Sequence, residues 1–201
     1  IVLLWPTKSE KPYYAAFGWL GAGVKVPTAN TLWKTRGSRL SPDTPLLMTW
    51  DNGEGLIFER HYSLDENYMI TLTQRVKNNT RKDVSLAPYG LISRTGTPDI
   101  LGFYILHEGL LGVFDETLLE VDYDELQEDN LIQKTSTGGW LGITDKYWLT
   151  ALIPNQKEAQ TTRFTYRNDN GLEKYQTDFL GQPVGIAPGA SVTEESHLFA
   201  G

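Results

Sequence analysis

The sequence predicts an all-β protein built from two large antiparallel sheets packed face to face, and three observations carry that expectation. Apolar residues recur at every second position in one run after another. Turn signals such as Asp51-Asn52-Gly53, Asp169-Asn170-Gly171 and Pro188-Gly189 separate the runs at short intervals. No long window holds an amphipathic helical stripe; the nearest case, Leu118, Val121 and Leu126, is interrupted by acidic residues. Many short strands with no helices between them favour a sandwich over any fold of alternating strands and helices. With no composition shift to mark a boundary, one domain is expected over residues 1–201.

The elements follow in order. The opening IVLLWP has no Met, basic region or cleavage site, and reads as a strand entered midway in a longer chain. Strand-like runs are expected at 13–20 and 46–50, then across the Asp-Asn-Gly turn at 56–64, where Leu56, Phe58, Tyr62 and Leu64 alternate with Glu59, His61 and Ser63. At 68–77, Tyr68, Ile70, Leu72 and Val76 take one face and Thr71, Thr73, Arg75 and Lys77 the other. Asn78-Asn79-Thr80 breaks the chain before runs at 84–93, 103–106 and 131–137. Further runs are expected at 140–143, 147–153, 161–167, 175–179 and 191–199.

A net charge of −7 and scattered Lys and Arg argue against a nucleic-acid surface. The absence of Cys excludes disulfides, thiolate metal sites and thiol nucleophiles. No stretch approaches the roughly 20 apolar residues of a membrane-spanning helix. No cofactor and no metal site is expected.

Four features could carry a site. The acidic run 119–129 (LEVDYDELQED) offers paired carboxylates for acid–base chemistry or a hard cation, but lacks the glycine of a calcium loop and reads as a solvated acidic loop. His61, His107 and His197 would have to supply any His-based metal site or catalytic triad; strand parity puts His61 and His197 outward and His107 at a strand end, so all three read as surface or rim residues. Asp51-Asn52-Gly53-Glu54-Gly55 runs into Leu56-Ile57-Phe58, a strand, and so reads as a hairpin rather than a phosphate loop. GGWLGITDKYWL (138–149) could stack a sugar on Trp140, Tyr147 and Trp148 with Asp145 bonding its hydroxyls. The competing reading makes it a strand pair joined by an Asp145-Lys146 turn, with most of its aromatics in the core and Gly138-Gly139 at a bulge or close approach.

GGWLGITDKYWLTALIP resembles the signature of the large periplasmic domain of the YidC membrane protein insertase family, carried here by Gly138, Gly139, Trp140, Tyr147, Trp148, Ile153 and Pro154. Residues 44–78, with an Asn-Gly turn before a Phe-x-Arg strand, resemble that family's central hairpin and long strand. Residues 184–201 (VGIAPGASVTEESHLFAG) resemble its closing Pro-Gly turn and last strand.

The resemblance implies a β-supersandwich of the galactose mutarotase kind, on the periplasmic side of the bacterial inner membrane, tethered by transmembrane helices that this chain lacks. It implies a parent that inserts and folds membrane proteins, with the Sec translocon, its accessory subunits and nascent membrane proteins as partners. The signature residues are then structural, and the chain is a non-enzymatic contact module. The rival is a carbohydrate-binding or mutarotase-like domain, whose acid–base set would have to come from His61, His107 or His197. A third reading is strand addition, in which an exposed sheet edge accepts an extended peptide.

Overall fold

The computed structural model describes residues 2–98 and 106–201. Its strands are β1 (Tyr13–Leu20), β2 (Lys34–Arg36), β3 (Leu46–Asp51), β4 (Leu56–Leu64), β5 (Met69–Asn78), β6 (Val84–Thr95), β7 (Gly109–Phe114) and β8 (Thr117–Asp122). A helix, α1 (Tyr123–Asp129), leads into β9 (Leu131–Thr137), β10 (Trp140–Asp145), β11 (Trp148–Ile153), β12 (Ala159–Asp169), β13 (Leu172–Leu180), β14 (Val184–Ile186) and β15 (Ser191–Ala200). They form a six-stranded sheet, β1-β6-β13-β12-β9 with β14 also on β6, and a nine-stranded sheet, β2-β3-β4-β5-β15-β11-β10-β7-β8. Every pairing is antiparallel.

The alternation read in the sequence is what buries the core. Leu72 and Val76 of β5 and Leu56 and Phe58 of β4 are all buried, while Arg75, Lys77 and His61 lie exposed on the opposite face. The core divides into two clusters. The larger gathers Phe17, Ile92, Leu110, Tyr123, Leu141, Phe164 and Tyr175 between the sheets. The smaller holds Trp19, Phe58, Val76 and Leu86, with Trp33 and Trp50 packed at its margin.

The turn chemistry also follows the sequence. Asn170 and Gly171 both have positive φ and form the two-residue loop of the β12–β13 hairpin, the conformation that Asn-Gly adopts most readily. Asn52 is buried, and its side-chain oxygen accepts from the N–H groups of Glu54 and Leu56. Asn78 is buried as well; its amide donates to the carbonyls of Lys82 and Ile186, so the break before β6 is pinned from within.

Five expectations are corrected. Among the described residues the opening forms no strand: Val2–Leu4 are irregular, and Trp5 makes a single bridge to Tyr13. Tyr68 stands outside β5 in a left-handed conformation, because the Asp65 carboxylate draws the N–H groups of Asn67 and Met69 into a tight turn around it. The acidic run is β8 followed by α1 rather than a solvated loop: Val121, Tyr123 and Leu126 are buried, and their spacing passes from two to three as strand gives way to helix. The turn within 138–149 falls one residue later than expected, on Lys146-Tyr147, because Asp145 pairs with Trp148. Nor are most of the aromatics of this stretch in the core: Tyr147 is 74% exposed at that tip, and Trp140 and Trp148 are half-buried outside both core clusters. Four strands also went unread: β2, β7, β8 and β14, of which β2 and β14 have only three residues each. Of the expected run 103–106, residues 103–105 lie outside the described residues, and Leu106 sits in a bend.

Candidate functional site

The family-like signature forms one hairpin and its latch. Gly138 and Gly139 both have positive φ (72° and 82°), and Trp140 then opens β10 against Val113 of β7. A Cβ on Gly139 would stand 2.0 Å from the Val113 carbonyl oxygen, so only glycine fits that approach. Beyond Ile153 and the buried Pro154, the Gln156 side chain turns back: Gly139 N–H donates to its Oε1 at 3.0 Å, and its Nε2 donates to the carbonyls of Gly139 (2.9 Å) and Pro154 (2.7 Å). Gln156 was not singled out in the sequence; its only signal is a polar amide two residues after Ile-Pro.

At the other end of the hairpin, Asp145 and Trp148 border a cleft of about 770 Å³, together with Trp5, Tyr13 and Arg94. Arg94 Nη1 meets Asp145 Oδ2 at 2.6 Å, with side-chain exposures of 15% and 24%. The guanidinium lies 5.0 Å over the Tyr13 ring, and the Tyr123 hydroxyl donates to the other Asp145 oxygen at 3.5 Å. Arg94 has the strand parity of the buried Leu86 and Ile92 on β6, which points it inward. A lone Arg on the apolar face of a strand is a readable sign of a buried ion pair, although it was passed over.

The electrostatics of this cleft favour holding charge over moving protons. Burial works against the Arg94 charge, but Tyr123 and Asp145 outweigh it and raise its pKa above the ordinary value. Burial pushes the Tyr13 hydroxyl up to about 12, and burial raises Tyr123 as well. Neither phenol therefore exchanges a proton near neutral pH, and Asp145 is engaged on both oxygens.

The three histidines are not brought together. His61 is exposed on β4. His107 lies just before β7, with its ring between the Leu110 carbonyl (3.0 Å) and Asp122 (3.2 Å). His197 sits on β15 with its Nδ1 3.0 Å from Thr71 Oγ1. None of the three borders the cleft. Among the described residues, no cluster of three His, Asp or Glu is placed to hold a metal ion.

Residues 1–201 match the family described as the YidC periplasmic domain. The chain is 46% identical over 212 residues to the membrane protein insertase YidC of Methylobacterium nodulans, covering 100% of this chain and 35% of that protein. To the protein of the same name from Bradyrhizobium diazoefficiens it is 45% identical over 205 residues, covering 100% and 33%. The chain thus spans about a third of the length of these relatives. Among solved structures, a galactose mutarotase related enzyme from Lactobacillus acidophilus superposes with a TM-score of 0.62 at 8% identity, covering 86% of this chain and 72% of that one. A galactose mutarotase-like protein from Lactobacillus casei gives 0.56 at 9%, covering 84% and 73%. At such low identity these two matches speak to the fold alone, and the fold is the expected supersandwich.

Proposed function

The chain belongs to the YidC periplasmic domain family, and on that premise we propose that it is the non-catalytic contact module of a longer membrane protein insertase. Its location is periplasmic, as the family description states. In this reading the 201 residues act as one folded unit, tethered by membrane helices elsewhere in the parent, and the module meets the Sec translocon, its accessory subunits or segments of nascent membrane proteins. Gly138, Gly139, Trp140, Tyr147, Trp148, Ile153 and Pro154 serve as architecture, setting the β10–β11 hairpin rather than acting on a substrate.

The observation that carries the non-catalytic reading is the chemistry of the cleft. Its charged centre is an Arg94–Asp145 pair closed on itself, and its phenols titrate far from neutrality. Mutarotation needs an acid and a base flanking one sugar ring, and the histidines that could supply them stand apart.

Photo-crosslinking tests the contact role. Probes placed at exposed positions of this domain in the full-length parent, in inner-membrane vesicles, are expected to crosslink to translocon subunits or to nascent membrane proteins. Failure of every probe to do so would overturn the proposal. Sugar binding without catalysis is a second reading, favoured by Trp5 and Trp148 at one cleft. Titrating the chain with aldoses while following tryptophan fluorescence separates the two, since saturable quenching lost in Trp148→Phe would support the sugar.

A further inference from the structure

β1 is an edge strand of the six-stranded sheet, with β6 on one side. Tyr13 directs its outward N–H and C=O to Trp5. Alternate residues of a strand point their main-chain groups the same way, so Ala15 and Phe17 also face outward. Among the described residues, the Ala15 N–H and C=O and the Phe17 N–H meet no partner, while the Phe17 carbonyl accepts from Arg60 Nη2. This contact sets the β1 edge over β4, and the nine-stranded sheet runs on beyond it through β3 and β2. The space left above that overhang is a groove of about 480 Å³, floored by Leu46, Met48, Tyr62 and Ile70 and walled on its far side by residues 27–29. It is the position that one more strand of the smaller sheet would take.

The chain segment that supplies residues 27–29 is cationic. Residues 21–42 contain Lys25, Lys34, Arg36 and Arg39 and no Asp or Glu, in a chain of net charge −7. All four cations are exposed, and none forms an ion pair among the described residues. Arg60, with its guanidinium 4.5 Å over the Trp33 ring, adds a cation at the groove itself.

We propose that this groove binds an extended peptide segment by strand addition to β1, the segment being apolar at alternate positions and acidic at its flanks. The apolar side chains face the floor, main-chain bonds form with Ala15 and Phe17, and an acidic flank meets Arg60. A segment of about four residues spans the open edge at roughly 3.3 Å per residue. Arg60 is the stopper: it holds the one outward carbonyl that a strand must claim, and it swings onto the acidic flank when the strand arrives. The inference rests on the contact role proposed above, and it names the substrate class. Translocated segments of membrane proteins are depleted in Lys and Arg relative to cytoplasmic loops, so their charge suits a groove whose one lining cation is Arg60.

Fluorescence anisotropy with the 201-residue chain tests it. The probe is a labelled ten-residue peptide of alternating valine and threonine with two aspartates at each end. Saturable binding is expected. A lysine-flanked version should bind at least tenfold more weakly, and a version N-methylated at alternate amides should not bind. Ala15→Pro removes only an outward N–H, a change that an edge strand accommodates. It should weaken binding at least fivefold while circular dichroism stays unchanged, and Arg60→Gln should lose the preference for acidic flanks. Equal binding of the N-methylated peptide, or no binding of the acidic one, overturns the inference. If the peptide fails while the crosslinks of the intact parent persist, strand addition falls and the contact role stands.

Discussion

Replacing Gly139 by Ala should be among the most damaging single-methyl changes in this protein, and a glycine series separates its causes. At Gly171, φ is +87° and a Cβ meets nothing within 4 Å, so Gly171→Ala carries only the backbone strain, about 1–2 kcal/mol. At Gly138, φ is +72° and the nearest atom is the movable end of the Gln156 side chain at 3.1 Å, so a little steric cost is added. At Gly139, the same strain meets a backbone carbonyl at 2.0 Å that belongs to the adjacent strand β7 and cannot swing away. Overpacking of that kind adds about 1–3 kcal/mol, and the loss of the Gln156 clasp follows if the loop shifts. The ordering Gly171→Ala, Gly138→Ala, Gly139→Ala should appear in urea unfolding followed by tryptophan fluorescence. With a slope of about 2 kcal/mol per M, the midpoint of Gly139→Ala should fall about 0.5–1.5 M below that of Gly171→Ala. If the two midpoints coincide, the close approach does not constrain the hairpin and the architectural reading of the signature fails.

Two further outcomes follow from the cleft. Asp145→Asn should cost about 1–3 kcal/mol, below the range for a fully buried pair because both partners keep some solvent. Arg94→Met combined with Asp145→Leu should restore most of the loss; denaturation midpoints of the single and double variants decide it, and an unimproved double variant would refute the pairing. Tyr13 has a folded pKa raised from 10.0 to about 12, so the stability it contributes is fully present below pH 10 and is lost as pH climbs through about 12. Absorbance at 295 nm should show a tyrosine that resists titration at pH 10, and Tyr13→Phe should reduce the alkaline loss of stability.

Much of the architecture was legible because it is written in a period of two. The buried faces of β4 and β5 and the turns at Asn52-Gly53 and Asn170-Gly171 follow from side-chain parity and positive-φ residues, both local properties. β2 and β14 escaped because three residues cannot display a period. Helix α1 escaped because its apolar face is only Tyr123 and Leu126 among four Asp and Glu residues, and packing on Tyr175 rather than propensity decides it. The signature stretch was legible as a hairpin but not as the border of a cleft. Trp5 and Arg94, which complete that border, come from remote parts of the chain: Trp5 is bridged to Tyr13, Tyr13 pairs with Arg94, and packing of one sheet on the other brings Arg94 to Asp145. The β1 groove was less visible still, since an edge is a property of sheet order and not of any single strand.

β15 lies in the middle of the nine-stranded sheet, joining β5 on one side to β11 on the other. The strands β2–β5 and the strands β7, β8, β10 and β11 are two sub-sheets with no hydrogen-bonded ladder between them until β15 arrives. A chain that emerges from its N-terminus therefore holds β5 with a bare inner edge while more than a hundred further residues follow. Completion of the larger sheet is timed by the arrival of its last strand, and during that interval the half-built edge of β5 is the surface most in need of protection from neighbouring chains.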